Sequence, residues 1–246
     1  MELGKIIKGY ERSIIVACDV RTLVELEKLV GQTYDVEGIG GYKIGSILAL
    51  KYGLPKVVKI IRSFTDMPIL YDHQKSMTDI PDLAEEFVSA VRGSGVDAII
   101  GFPLSGPLTE EKWIEACRKN DLEVIVGGEM THPKYKRSEG GYITDDALDE
   151  IYLLAAKIGV NNFVVPGNKK ERVLHYREIL RFVPDLTFFA PGFVAQGGMI
   201  SDIVKVAGPR WHAIVGRAIY SVKDIRAAAQ EITKQLLNWE GELCPK

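Results

Sequence analysis

The feature that most constrains this chain is a repeated alternation of short apolar runs with segments of helical periodicity. Strand-like runs stand at 13–17, 36–44, 67–71, 98–101, 122–126, 162–165, 186–190 and 212–215. Helical patterns follow them at 22–30, 55–64, 80–92, 109–119, 145–158, 169–182, 200–206 and 224–237. In the first helix Leu23, Leu26, Leu29 and Val30 share one face, and in the third Leu83, Phe87 and Val91 do so. Thr109 is placed to cap the fourth. Eight such units in 246 residues, with no break in composition, is the arithmetic of a closed (β/α)8 TIM barrel. The expectation is one domain over 1–246 whose tail frays from about residue 239. An open doubly wound sheet usually has fewer strands, and no Gly-x-Gly-x-x-Gly follows any strand here. Gly38-Ile39-Gly40-Gly41 precedes Lys43 inside its strand rather than opening a helix.

Composition narrows the class. Apolar residues make up 46% of the chain, enough for a large core. A net charge of −2 gives no argument for nucleic acid or a membrane surface as partner. No apolar run approaches the ~20 residues of a membrane span. Residues 1–5 lack the apolar core of a secretory signal. Cys18, Cys117 and Cys244 are odd in number and lack metal-ligand spacing, so a reducing cytoplasm is expected. Cys18 in a strand and Cys117 on a helix read as packed thiols.

In a β/α barrel, ligands bind where strands end. The densest such end is Leu70-Tyr71-Asp72-His73-Gln74-Lys75-Ser76-Met77-Thr78-Asp79-Ile80-Pro81. A buried strand there emits Asp72, Lys75 and Asp79, and Pro81 suits the first turn of the next helix. The other ends supply Asp19, Lys43, Glu129, Thr131, Pro166-Gly167, Gln196 and Gly216-Arg217. Each has a dull explanation: a cap for Asp19, a snorkelling stem for Lys43, a helix carboxylate as partner for Arg217. Their joint occurrence at one face is harder to dismiss. His73, His132, His175 and His212 are scattered and read mainly as structural.

Gln196-Gly197-Gly198 offers close backbone N–H groups ahead of a short helix, and Gly216-Arg217 adds a planar cation. Loops after strands seven and eight are the usual phosphate seat of such barrels, so a phosphorylated ligand is expected. The remaining charges, Asp19, Lys43, Asp72, Lys75 and Asp79, alternate in sign. Such an array holds lysines as ammonium groups, which are acids rather than Schiff-base nucleophiles. An ionised aspartate beside a substrate anion repels it. The pair suits expulsion of an anionic group and protonation of the carbanion left behind, which is decarboxylation.

On these residues the chain resembles the orotidine 5′-monophosphate decarboxylase family over nearly its whole length. Ala17-Cys18-Asp19, Tyr42-Lys43-Ile44-Gly45 and the 70–81 stretch look like the family's strand-one aspartate, strand-two lysine and Asp-x-Lys-x-x-Asp-Ile-Pro signature. Glu129-Met130-Thr131-His132-Pro133 is similar to its Glu-Met-Ser-His-Pro segment. Pro191-Gly192 through Gln196-Gly197-Gly198 resembles its phosphate loop, and Val215-Gly216-Arg217-Ala218-Ile219-Tyr220 its strand-eight motif. The resemblance implies a metal-free lyase of pyrimidine biosynthesis that makes UMP with no cofactor. In it Lys75 protonates C6, Asp72 faces the departing carboxylate, and Lys43 bridges the charged array and the ribose. Asp19 binds a ribose hydroxyl and Thr131 meets the pyrimidine edge. Pro191 and Gly197 belong to the phosphate loop, Gly216 stands beside Arg217, and Gln196 and Arg217 hold the phosphate. Asp79 reaches the neighbouring subunit's site, which implies a homodimer.

Two departures stand out. The signature here is Asp72-x-x-Lys75-x-x-x-Asp79, two residues longer than the family's, and Leu83 stands where a threonine is usual. Two other readings stay open. One is a Mg²⁺-dependent sugar-phosphate decarboxylase or aldolase of the same superfamily, such as 3-keto-L-gulonate 6-phosphate decarboxylase or hexulose 6-phosphate synthase. The other is a non-catalytic binder of a nucleotide or phosphosugar, which only the altered spacing favours. The connection from 127 to 144 is long and polar, and within it Lys134 to Gly141 reads as a lid or a surface insertion whose composition favours mobility.

Overall fold

Eight parallel strands close on themselves in chain order, β1 through β8, in the computed structural model. It describes residues 6–74, 76–193, 203 and 205–237. The strands are β1 (Arg12–Cys18), β2 (Ile39–Gly45), β3 (Ile69–Asp72), β4 (Ala98–Gly101), β5 (Glu123–Gly127), β6 (Asn162–Val164), β7 (Thr187–Pro191) and β8 (Trp211–Val215). Between them run α1 (Leu23–Gly31), α2 (Ser46–Tyr52), α3 (Leu54–Arg62), α4 (Ala84–Gly93), α5 (Pro107–Lys119), α6 (Asp145–Lys157) and α7 (Lys170–Ile179). After β8 come α8 (Arg217–Tyr220) and α9 (Ile225–Leu237). The expected (β/α)8 barrel is therefore the fold. No described helix is long and apolar enough to cross a membrane.

Strand alternation divides the buried residues into two cores. Side chains pointing inward fill the barrel: Ile15, Ala17, Leu70, Ala98, Ile100, Phe102, Ile125, Val164, Phe189 and Ile214, with Ile6 and Ile7 in the same cluster. Those pointing outward, such as Val16, Ile44, Ile99 and Val124, pack against the helix stripes, Leu26, Leu29 and Val30 of α1 among them. Each fully buried aliphatic of this layer contributes about 1.5–3 kcal/mol. The same parity fixes the site. Leu70 faces inward, so Asp72 does too, and pairing of Ala17 with Lys43 and of Lys43 with Leu70 keeps the three in one tier. Toward the other end of β1, Ser13 Oγ and His212 Nδ1 share a buried 2.7 Å hydrogen bond. That gives His212 the structural role read from the sequence. Cys18 and Cys117 are buried free thiols; burial pushes Cys18 up and Cys117 up to about 12.

Local chemistry explains where the elements differ from expectation. Thr22, not Asp19, caps α1: its side chain accepts from Glu25 N while Glu25 reaches back to Thr22 N, a reciprocal capping box. The helix α2 escapes a periodicity reading because Leu48 is its one buried residue. Gly53, at φ +81°, separates it from α3. Thr109 does not cap α5, which starts two residues earlier at Pro107; its hydroxyl donates instead to the Asp79 carbonyl at 3.3 Å. The helix expected at 200–206 and the frayed tail lie mostly or wholly outside the described residues.

Candidate active site

The end of β2 raises Lys43 into the barrel mouth, buried to 6% exposure. Its Nζ donates to Asp19 Oδ1 at 2.9 Å and Oδ2 at 3.1 Å, and to Asp72 Oδ2 at 3.0 Å. Burial alone would lower its pKa, but Asp72 and Asp19 together outweigh that and raise it. Lys43 is thus a fixed ammonium and not a snorkelling stem. Gly45 makes the arrangement possible: a Cβ there would stand 2.5 Å from Asp19 Oδ1. Asp72 Oδ1 is buried and has no hydrogen-bond partner among the described residues. A buried acceptor left so is costly, which marks it as a place for a donor.

Beyond Asp72 the chain turns through His73 and Gln74 and forms a 3₁₀ turn over Ser76–Thr78. His73 Nδ1 lies 2.9 Å from the Tyr71 hydroxyl and its ring packs on Phe87, a structural setting. Ser76 and Met77 are buried against Gly101, where a Cβ would come within 2.6 Å of Met77 and 2.9 Å of Ser76 Oγ. A glycine at the end of β4 thereby makes room for the longer loop. A second 3₁₀ turn, Pro81–Leu83, leads into α4 with Pro81 in its first turn, as its missing N–H favours. Asp79 is exposed, and its carboxylate accepts from the N–H of Ile80 at 2.8 Å.

The 127–144 connection is pinned rather than loose. Glu129, 1% exposed, accepts from Lys169 Nζ at 3.0 Å, Arg172 Nε at 2.7 Å and the Tyr176 hydroxyl at 2.6 Å. Burial would raise its pKa, yet hydrogen bonds from Tyr176, Arg172 and Lys169 hold it below the usual carboxylate range. Lys169 also donates to Glu139, which in turn accepts from Tyr135 N. Asn168 donates to the Thr131 carbonyl at 3.1 Å, tying the β6 loop to the β5 loop. Polar composition suggested mobility because the partners, on α7 and just before it, are some forty residues away in sequence.

The opposite wall comes from β7 and β8. Pro191 ends β7, and Phe193 packs on Trp211 with ring centroids 5.9 Å apart. Gly216 precedes α8, whose first residue is Arg217. The Arg217 side chain is exposed and forms no ion pair among the described residues. Tyr220 lies one turn on from it.

These walls enclose a cavity of about 300 Å³. Asp19, Lys43, Asp72, Thr131, Pro191, Gly216 and Arg217 all line it. Asp79 does not. Lys75, Gln196 and Gly197 lie outside the described residues. Ile100, Phe102, Met130, Phe193, Tyr220 and Gln74 also line it. Apolar residues give no chemical signal there; Gln74 and Tyr220 stand three residues or fewer from Asp72 and Arg217, a proximity that could have flagged them. A larger groove of about 720 Å³ adjoins the cavity and shares Asp19, Lys43, Asp72, Gln74 and Met130 with it. The cavity lining combines a cation at Arg217 with the charged tier at Lys43 and Asp72, among apolar residues such as Ile100 and Phe102. Among the described residues, no three of His, Cys, Asp and Glu are grouped to hold a metal ion.

Residues 12–232 match the model of the orotidine 5′-phosphate decarboxylase / HUMPS family. The chain is 31% identical over 224 residues to the orotidine 5′-phosphate decarboxylase of Methanosarcina mazei, covering 91% of this chain and 94% of that one. For the Methanosarcina barkeri enzyme the identity is 32% with the same coverage. Among solved structures, orotidine 5′-monophosphate decarboxylase from Methanocaldococcus jannaschii, complexed with the inhibitor BMP, superposes with a TM-score of 0.81 at 26% identity. It covers 92% of this chain and 99% of its own. The Pyrococcus horikoshii orotidine 5′-phosphate decarboxylase gives 0.76 at 28%, covering 91% and 99%. With the barrel, the charged tier and the match over nearly all its length, the chain belongs to the orotidine 5′-phosphate decarboxylase / HUMPS family.

Proposed function

We propose that this chain decarboxylates orotidine 5′-monophosphate to UMP. The observation that carries the reading is one cavity lined by two unlike charged groups. An exposed arginine that forms no ion pair among the described residues lines it, and so does a buried ammonium fixed between two carboxylates. A nucleotide monophosphate has the matching polarity, phosphate at one end and reacting base at the other. Family membership and the decarboxylase relatives support the same assignment.

In this reading Arg217, Gln196 and the backbone of Gly197 and Gly216 hold the phosphate beside Pro191. Asp19 takes a ribose hydroxyl, Lys43 bridges ribose and charged tier, and Thr131 meets the pyrimidine edge. Asp72 stands against the substrate carboxylate. The C6–carboxylate bond breaks, CO₂ departs, and the electron pair stays on C6. Lys75 gives that carbon a proton, and water later returns one to the amine. An ammonium preorganised at the developing charge stabilises the transition state directly. Binding energy of the remote phosphate drives the site into its reactive arrangement. Asp79, exposed and outside its own cavity, completes the site of a second copy, so the working enzyme is a homodimer.

The test is loss of orotidine 5′-monophosphate absorbance by purified protein, with and without EDTA, beside Lys75→Ala. Turnover that survives EDTA and disappears in the variant is expected. Turnover of a phosphosugar that EDTA abolishes would replace this reading with the sugar-phosphate branch. Tight UMP binding without turnover would replace it with a binder.

A further inference from the structure

The loop after β3 carries a polar side chain that the mechanism above does not use. Gln74 stands two residues beyond Asp72, at the offset where the shorter family signature has its lysine. Here the lysine comes one residue later, and Gln74 lines the cavity beside Asp72 and Lys43. It also lines the adjoining groove, so it sits on the seam between the two spaces. Its side chain is partly buried and no hydrogen bond engages it among the described residues. A primary amide has two donors and one acceptor oxygen. In the same cavity as a buried carboxylate oxygen, Asp72 Oδ1, that has no partner among the described residues, those groups have an evident use once a polar ligand enters.

We infer that Gln74 contacts the substrate, its amide meeting the pyrimidine edge that carries the scissile carboxylate, and so acts as a specificity-determining residue peculiar to the longer loop. The inference rests on the decarboxylase reading of the cavity. Charge explains why an amide stands there. The array already has its cations in Lys43 and, one residue on, Lys75, so an amide at position 74 adds a hydrogen-bonding group and no further charge. Another anion would repel the substrate carboxylate more than the reaction needs. A neutral group can hydrogen-bond the pyrimidine edge through to the transition state without changing the tier, so the contact counts in kcat/KM. The loop has the support to place it. Ser76 N donates to the His73 carbonyl at 2.7 Å, closing the turn around Gln74, and Ser105 Oγ donates to the Thr78 carbonyl at 2.6 Å. Met77 is buried against Gly101 below. The two added residues are thus taken up in a braced turn.

The test compares wild type with Gln74→Ala and Gln74→Glu. It reads kcat/KM for orotidine 5′-monophosphate and the inhibition constant of ribose 5-phosphate, which lacks the base. If Gln74 meets the pyrimidine edge, Gln74→Ala lowers kcat/KM at least tenfold, Gln74→Glu lowers it further, and the ribose 5-phosphate constant moves less than twofold. The last readout separates a base contact from a misfolded loop, which would weaken both ligands; Gln74→Asn, shorter by one methylene, gives a second and milder variant. A wild-type enzyme that turns over substrate while Gln74→Ala stays within twofold on kcat/KM overturns this inference alone. Equal loss on both ligands in Gln74→Ala and Gln74→Asn overturns it too, in favour of a purely structural turn. A wild-type chain that neither turns over orotidine 5′-monophosphate nor binds UMP overturns the decarboxylase reading, and this inference with it.

Discussion

Lys43 shows how much one position can be asked to do. Its stem lies in the barrel core while its ammonium answers two carboxylates, and Gly45 is bare so that one of them can approach. Removing Lys43 or the mostly buried Asp72 leaves the other as an uncompensated charge, while Asp19 is exposed and costs less to replace. A buried carboxyl elsewhere adds a pH dependence. Glu110 on α5 is 1% exposed with Oε1 unpartnered among the described residues, and burial pushes it up to about 8. Its folded pKa lies above the unfolded value near 4.3, so its contribution is fully present below that value and is lost as pH rises through about 8. Glu110→Gln is therefore expected to match the parent near about pH 5 and exceed it by about 1–3 kcal/mol near about pH 9, read from urea unfolding. A parent whose stability is flat over that range would refute the assignment.

The β5 and β6 loops behave as one element because a single buried anion collects cations from α7 and its entry. Replacing it weakens the whole assembly: Glu129→Gln leaves Lys169 and Arg172 facing a neutral amide. The expected result is faster proteolytic cleavage within 127–144 and a KM about tenfold higher, with Thr131 no longer held against the cavity. Unchanged cleavage would mean that Asn168 and Glu139 suffice. Acid acts in the same direction. The folded pKa of Glu129 is depressed, so its contribution is present above about 4.3 and is lost as pH falls through the lower folded value. This element also marks where sequence reasoning stops. Strand order, the inward parity of Lys43 and Asp72, and the convergence of Asp19, Thr131, Pro191, Gly216 and Arg217 could be read from local pattern, because alternation and chain order fix them. The Glu129 network could not, since its partners meet only after the barrel closes. Nor could α2, whose exposed apolar Ile47 and Leu50 break the amphipathic stripe, or the role of Gly101, visible only from what packs on it.

At the scale of the molecule, the mouth exposes apolar side chains around the loop that carries Asp79. Ile80 is 57% exposed, Leu108 58% and Ile47 64%. A second copy seated there would cover them and bring its own Asp79 to the groove beside Lys43. If sites are shared in this way, Lys75→Ala and Asp79→Ala are each nearly inactive alone. Mixing and exchanging their subunits restores about a quarter of wild-type activity, because half the dimers are hybrids with one intact site. Additive, near-zero activity in the mixture would place both groups in the same subunit's site. The aromatic pair on the opposite wall has a consequence of another kind. Phe193 lines the cavity and touches Trp211, whose indole is wholly buried with Nε1 unpartnered among the described residues. Anything that settles against Phe193 alters the surroundings of a fluorophore that solvent never reaches. The protein thus carries a built-in optical gauge of occupancy. Titration with UMP should shift its tryptophan emission, and Trp211→Phe should silence that shift while leaving the ligand bound.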